Sequence, residues 1–354
     1  LFMDGRMVVE GGSIYDLLSL ISRNSVRGAP PAWLRALRGM RDATKALRLR
    51  NYRKKSRANV AHHYDLDDRL YRLFLDPDRQ YSCAYFESPD ATLEEAQLAK
   101  KRHIAAKLLL KPGHTVLDIG SGWGGLAIYL ARYCGADVTG VTLSTEQFAN
   151  ATQRAAEAKL DQQVRFRLED YRDVKGPFDR VVSVGMFEHV GPLFYDAYFQ
   201  KVAALLAPDG VAMIHTIGRP DGPFPTNPWV TKYIFPGGHT PSLSEIAPAV
   251  ERAGLYITDI EVLRMHYAET LAAWRRNFLA HRDEALELYD ERFCRMWEFY
   301  LAGAECAFRF EGECVFQLQL ARKHDAVPIT RDYLADTERR LRALESRDKE
   351  WLVA

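Results

Sequence analysis

Apolar and polar positions change their period along the chain. Between Trp33 and Arg57, Leu34, Leu37, Met40 and Leu47 recur at helical spacing, with Thr44 in register. From His114 onward, short apolar runs alternate with amphipathic stretches. Thr115–Ile119, Asp137–Thr142, Val164–Leu168, Phe178–Val184 and Val211–Ile217 read as strands, and Leu126–Cys134 as a helix. Ser144 with Gln147, and Ser242 with Glu245, have the spacing of capping boxes, each opening a helix. Longer helical patterns cover Glu269–Leu286 and Glu291–Phe308, and Cys314–Ala321 suggests a last strand. Residues 331–351 carry six basic and six acidic side chains at helical spacing, most simply a solvated terminal helix. Short strands separated by helices predict an α/β fold: a doubly wound, mostly parallel sheet with helices on both faces. Residues 219–241, rich in Pro and Gly, fit no regular element, and an irregular loop of that length points to function.

Length and composition narrow the picture. At roughly 100–200 residues per domain, 354 residues predict more than one unit. Gly11-Gly12 and Pro30-Pro31 punctuate a small, mainly helical N-terminal unit, 1–55; a main unit, 56–330, and a charged C-terminal helix, 331–354, follow. A chain with 47% hydrophobic and 27% charged residues has ample core, which excludes disorder as its main state. Apolar stretches such as Val202–Ala207 fall far short of the ~18–20 residues that cross a bilayer. Leu1–Glu10 shows no basic segment followed by an apolar run, so no secretory signal is expected. Cys83, Cys134, Cys294, Cys306 and Cys314 are scattered without C-x-x-C spacing; no disulfide scaffold or metal site is expected, and a cytoplasmic setting fits. The net charge of +1 conceals ten Lys/Arg against one acid, Asp42, between Trp33 and Arg57. Such a basic amphipathic helix reads either as a solvated linker or as a surface for anionic lipid, where each cation adds ~1 kcal/mol. Nucleic acid fits less well, since no aromatic ladder accompanies the charge.

The strongest local signal is Val116-Leu117-Asp118-Ile119-Gly120-Ser121-Gly122-Trp123-Gly124-Gly125, a strand running into glycines that open a helix. In a doubly wound sheet this turn receives a nucleotide-like cofactor. Gly120, Gly122 and Gly125 satisfy the dinucleotide spacing G-x-G-x-x-G, a weak match alone. Two features oppose a nicotinamide cofactor. The end of the second strand, Gly140-Val141-Thr142, offers no acid for a ribose, and Asp118 stands two residues before the first glycine. D-x-G-x-G is the pattern of S-adenosylmethionine-binding methyltransferases.

Further strings fall in order: Tyr81-Ser82-Cys83-Ala84-Tyr85-Phe86, Gly140-Val141-Thr142-Leu143-Ser144, Phe187-Glu188-His189-Val190-Gly191, His215-Thr216-Ile217-Gly218 and Phe235-Pro236-Gly237-Gly238. Together with the glycine turn they resemble the cyclopropane fatty acid synthase family and its mycolic acid relatives, from about Arg57 to Ala321. The resemblance implies a fold of the class I S-adenosylmethionine-dependent methyltransferase type. It also implies transfer of the cofactor's methyl to the cis double bond of an unsaturated phospholipid acyl chain, with closure of a cyclopropane ring. An alkene is a poor nucleophile, and its attack on a sulfonium methyl leaves a carbocation. Aromatic faces stabilise such a cation by ~0.5–2 kcal/mol each; Tyr64, Tyr81, Tyr85, Phe86, Phe187 and Tyr233 are candidates. In this family a bound bicarbonate takes the surplus proton, and by resemblance its cage maps to Cys83, Glu188, His215, Ile217 and Tyr267. A carboxylate beside an anion requires a proton on one of them, so a raised Glu188 pKa is expected. Without the resemblance, Glu188 and His215 stand out at strand ends, although a lone strand histidine is often a core residue; His189 reads as structural.

The cofactor pocket carries over similarly. Tyr81 and Ser82 should approach the methionine end, with Asp118, Gly120, Gly122, Trp123 and Gly124 at the turn. Thr142, Leu143 and Gln147 should read the ribose, and Asp170 and Tyr171 should border the adenine. One departure stands in the helix ending Ala-Phe-Arg. Family members often carry a cysteine where this chain has Ala304; Cys306, two residues on, is expected to face elsewhere as a core thiol. The resemblance further implies a homodimer on the inner face of the membrane. Three other readings remain open: methylation without ring closure, methylation of an unrelated small molecule, and a non-catalytic lipid-binding relative.

Overall fold

The computed structural model describes residues 1–24 and 66–348. The basic segment 33–57 and Tyr64 lie outside the described residues. Seven strands form one sheet: β1 Thr115–Ile119, β2 Asp137–Thr142, β3 Val164–Leu168, β4 Phe178–Val184, β5 Leu206–Gly218, β6 Tyr256–Leu263 and β7 Cys314–Ala321. Their order is β3-β2-β1-β4-β5-β7-β6. Pairings from β3 through to β5 are parallel, and β7 runs antiparallel between β5 and β6. The chain reverses its direction of winding between β1 and β4, which opens a crevice at the carboxyl ends of those strands. The expected doubly wound, mostly parallel α/β fold is present.

The helices used below are α1 Ile14–Asn24, α2 Asp68–Phe74, α3 Leu93–Lys107, α4 Gly125–Cys134, α5 Thr145–Glu157, α6 Tyr195–Leu205, α7 Pro228–Tyr233, α8 Leu243–Arg252, α9 His266–Ala280, α10 Arg282–Leu288, α11 Glu291–Phe310 and α12 Asp332–Glu345, numbered among the described residues. Buried apolar clusters lie on both faces of the sheet, one under α4 and one under α6 and α8. A third cluster is built by α2, α9 and α11 around Tyr71, Phe74, Trp274 and Trp297. This aromatic layer roofs the crevice. In α11, Asp290 accepts the Phe293 N–H at 2.7 Å as N-cap, and Cys294, Trp297 and Leu301 form the buried stripe.

The structure departs from the sequence reading in several places. β5 starts five residues earlier than Val211, and the long helix breaks at His281 into α9 and α10. The loop 219–241 contains the short helix α7. Ser242 and Glu245 do form a full capping box. Ser144 accepts the Gln147 N–H, but the Gln147 side chain turns instead to Thr142. α12 is solvated over much of its surface but docks along one stripe. Its Leu341 and Glu345 are buried; Glu345 receives Arg102 at 2.9 Å and the Tyr129 hydroxyl at 2.6 Å, and Glu338 meets His103 Nδ1 at 2.6 Å. The same pairing hides α3 and β6 from periodicity. α3 buries Lys100, Lys101, Arg102, His103 and Lys107, and β6 turns Asp259 and Glu261 toward them. Residues 1–24 sit on the aromatic layer: Ser22 donates to Glu311 at 2.8 Å, Arg292 to Asp4 at 3.0 Å, and Met3 is buried against Trp229.

Candidate active site

Two cavities meet at the carboxyl ends of the strands. The smaller, about 200 Å³, lies over the glycine turn. Gly120 holds φ +80°, and a Cβ there would stand 2.9 Å from Met186 Cβ. Gly122 holds φ +54° with nothing within 4 Å of the missing Cβ, so a ligand can lie against its backbone. Asp118, at the end of β1, lines this cavity, is buried, and leaves Oδ2 without a partner among the described residues. Burial pushes its carboxyl up to about 7, with Lys100 opposing. An unmet buried acceptor suits an ammonium group on the ligand. Thr142 Oγ1 donates to Gln147 Oε1 at 3.0 Å, which turns that side chain toward the neighbouring wall. Leu143, Asp170 and Tyr171 complete the far end, where Asp170 is held by Arg172 at 2.8 Å.

The larger cavity, about 870 Å³, lies beneath the aromatic layer. Leu271, Trp229, Phe235, Phe299, Tyr300 and Phe308 supply most of its apolar wall. One end is polar. Ile217 N–H donates to Glu188 Oε1 at 2.7 Å, while Glu188 Oε2 is buried with no partner among the described residues. Burial pushes the Glu188 carboxyl up to about 7, against the pull of the Ile217 N–H. His215 is buried, its Nε2 unpartnered among the described residues and its Nδ1 3.2 Å from Gln317 Nε2. Burial and then the Lys100 and Lys107 charges hold His215 well below its ordinary pKa, so the ring is neutral. Cys83 and Tyr267 line the same chamber; burial pushes the Cys83 thiol far up, which makes it a neutral S–H group.

Tyr81, Ser82, Gly185 and His189 line both cavities and form their shared wall. Ser82 is fixed from behind: Lys100, wholly buried, donates to Ser82 Oγ at 2.7 Å, and Gln97 donates to the Ser82 carbonyl at 2.9 Å. The Tyr81 and Tyr300 hydroxyls meet at 3.0 Å.

The structure thus brings Cys83, Glu188, His215, Ile217 and Tyr267 around one chamber. It brings Tyr81, Ser82, Asp118, Gly120, Gly122, Trp123, Thr142, Leu143, Gln147, Asp170 and Tyr171 around the other. Gly124 is not among them: with φ +82°, its missing Cβ faces Phe166 at 2.5 Å and Ala151, so it serves helix–strand packing. Ile217 spends its N–H on Glu188, leaving it no free donor for a ligand. Of the aromatic candidates within the described residues, only Tyr81 lines either of these two chambers. Tyr85 stacks between His103 and His266, Phe86 lies against His266, Phe187 is buried among Tyr195, Tyr198 and Phe199, and Tyr233 packs on Trp229. His189 lines both chambers, and burial pulls its pKa down to about 4. Cys306 and Ala304 both border the larger chamber, so Cys306 does not face elsewhere; burial pushes its thiol up to about 11. Sequence reasoning missed Lys100, Gln97 and Gln317, because buried polar residues inside a helix or strand carry no periodic signal.

Comparison with known proteins agrees with this architecture. Residues 51–318 match the family model described as mycolic acid cyclopropane synthetase. The chain is 46% identical over 277 residues to the cyclopropane-fatty-acyl-phospholipid synthase of Escherichia coli (strain K12), covering 78% of this chain and 71% of that protein. It is 42% identical over 284 residues to the tuberculostearic acid methyltransferase UfaA1 of Mycobacterium tuberculosis, covering 77% and 66%. Among solved structures, the mycolic acid cyclopropane synthase CmaA1 complexed with SAH and CTAB superposes with a TM-score of 0.71 at 37% identity, covering 75% of this chain and 98% of that one. The sheet, the glycine turn and the paired chambers accordingly belong to a class I S-adenosylmethionine-dependent methyltransferase, and the chain is a member of the mycolic acid cyclopropane synthetase family.

Proposed function

We propose that the chain adds the methyl carbon of S-adenosylmethionine across the cis double bond of unsaturated phospholipid acyl chains and closes a cyclopropane ring. One observation carries this reading: an apolar chamber of about 870 Å³ shares the Tyr81–Ser82 wall with the cofactor cavity and holds two unpartnered polar atoms, Glu188 Oε2 and His215 Nε2. When bound, S-adenosylmethionine would supply an electrophilic methyl; Asp118 would receive its ammonium, Gly122 would admit its chain, and Thr142 with Gln147 would read its ribose. The apolar wall excludes water from a nascent carbocation. The Tyr81 and Tyr300 rings offer negative faces worth ~0.5–2 kcal/mol each to a nearby cation.

The polar end fits a small oxyanion such as bicarbonate. Glu188, His215, Tyr267 and Cys83 would hold it, and it would supply a base for the proton lost on ring closure. Glu188, raised to about 7, carries a proton for part of the time at neutral pH, which removes the clash between a carboxylate and an anion. A second reading, methylation without ring closure, is favoured by the likeness to a tuberculostearic acid methyltransferase. The two readings share the cation and differ in its fate. The remaining expectations complete the proposal: a homodimer on the cytoplasmic face of the membrane, drawn to anionic lipid by residues 33–57. No helix among the described residues is long and apolar enough to cross a membrane.

The test is transfer from methyl-labelled S-adenosylmethionine into vesicles of an unsaturated phosphatidylglycerol. The expected product carries one added carbon, with cyclopropane ring protons in its NMR spectrum. A methylene or methyl branch would select the second reading, and no incorporation would defeat both.

A further inference from the structure

A cross-strand file passes beneath the polar end of the larger chamber. His215 on β5, Gln317 on β7 and Glu261 on β6 are direct register partners, so their side chains share one face of the sheet. Gln317 is wholly buried, and its amide nitrogen stands 3.2 Å from His215 Nδ1. An amide nitrogen carries donors only, so in this contact Nδ1 accepts. The charged groups around the file come from every neighbouring element. Lys100, His103 and Lys107 project from α3, Glu261 stands on β6 in contact with His103 at 2.7 Å and Lys107 at 2.5 Å, and Glu188 lines the chamber itself. Burial and the Lys100 and Lys107 ammonium groups oppose a second proton on the His215 ring, against the pull of Glu261. A neutral imidazole holds one proton, and an accepting Nδ1 leaves that proton on Nε2. Nε2 is the ring atom that has no partner among the described residues.

We propose that Gln317 is a positioning residue that fixes His215 in the Nε2–H tautomer, so that the ring presents a hydrogen-bond donor, and not a base, to the reaction chamber. His215 then orients an acceptor beside Glu188 and takes no proton from the reacting carbon. The role in the reaction rests on the function proposed above; the tautomer does not, because it is argued from the β5–β7 contact and the charges around the ring.

The experiment uses the full chain labelled with ¹⁵N-histidine, without substrate. His215 is assigned by the signals missing from His215→Gln. Long-range ¹H–¹⁵N spectra should place Nδ1 in the unprotonated range and Nε2 in the protonated range, unchanged from about pH 6 to about pH 8. Gln317→Met keeps the length of the side chain and removes the donor. It should give averaged, mixed-tautomer shifts and about a fivefold to tenfold lower transfer rate, as expected for one lost hydrogen bond. The KM for S-adenosylmethionine should stay unchanged. A protonated Nδ1 in the unsubstituted protein overturns the proposal, and this result needs no variant to fold. A pure Nε2–H form persisting in Gln317→Met overturns the assignment to Gln317, since a merely structural glutamine would alter melting and leave the tautomer as it was. Failure of lipid methylation would leave these spectra untouched, so the two readings fail separately.

Discussion

The two cavities share a wall and are built in opposite ways. The smaller is floored by backbone: a strand end, glycines at positive φ and the start of α4, with Asp118 as its buried charge. The larger is walled by side chains drawn from Leu18 to Glu313, mostly aromatic and aliphatic, with Glu188 and His215 set among them. Each contains a carboxyl pushed up to about 7 by burial, but the surroundings differ. Asp118 keeps an unmet oxygen beside the Lys100 charge; Glu188 keeps one in an apolar chamber, restrained first by the Ile217 N–H and then by its own N–H and Thr216. A backbone floor selects one ligand shape, whereas a side-chain wall admits a flexible hydrocarbon and concentrates control at the reacting end.

The sharpest test of this contrast separates chemistry from cofactor binding. His215→Ala and Glu188→Gln should each lower methyl transfer about 10²–10³-fold, the range for losing one placed polar group at a reacting centre. Their affinity for S-adenosylhomocysteine by calorimetry should stay within about twofold; a parallel loss of affinity would merge the two sites into one. The converse is Asp118→Ala. It should weaken cofactor binding about tenfold to hundredfold, as expected for a charge-assisted hydrogen bond of ~1.5–3 kcal/mol, while transfer at saturating cofactor changes little.

The next test reads the Glu188 environment through stability. The folded pKa is raised, from the ordinary 4.5 to about 7, so the contribution is fully present below about pH 4.5 and lost as pH rises through 7. Glu188→Gln does not titrate. Its melting temperature, relative to the unsubstituted protein, should climb by up to about 10 °C across that window, given ~1.4 kcal/mol per pKa unit and ~2–4 °C per kcal/mol. A gap that stays flat with pH would show that Glu188 is solvated. The smallest expected effect is at the shared wall. Tyr300→Phe removes the 3.0 Å contact with Tyr81 and should cost ~1 kcal/mol, seen as a modest rise in KM for the acyl substrate alone.

Residues near one another in the chain were legible before any coordinates. Asp118, Gly120 and Gly122 sit on a strand–turn–helix whose geometry follows from local backbone preferences, and the strand bounds of β1 to β4 and β7 follow from apolar runs. Phe187-Glu188-His189 and His215 were legible through family resemblance, since chemistry ties those residue types to strand ends. The occupants of the chamber wall were not. Phe187 and Tyr85, read as aromatic candidates, turned into packing, while Trp229, Phe299 and Phe308 took the wall. An aromatic side chain buries equally well in a core or around a cavity, so its type does not reveal which.

The buried polar framework belongs wholly to the tertiary structure. α3 is rich in basic side chains, yet Lys100, Arg102, His103 and Lys107 are interior because β6, α12 and Ser82 bring their partners. A buried charge is tolerable only when its counterpart arrives from elsewhere in the chain, and no local pattern encodes that arrival. What the amino-acid order determined by itself was the alternation that makes the sheet and the turn that opens the cofactor cavity, because both arise within one strand–helix unit. What folding alone decided was which polar atoms would be left unpaired at the junction of the two chambers, because that depends on strands and helices far apart in the chain being packed together.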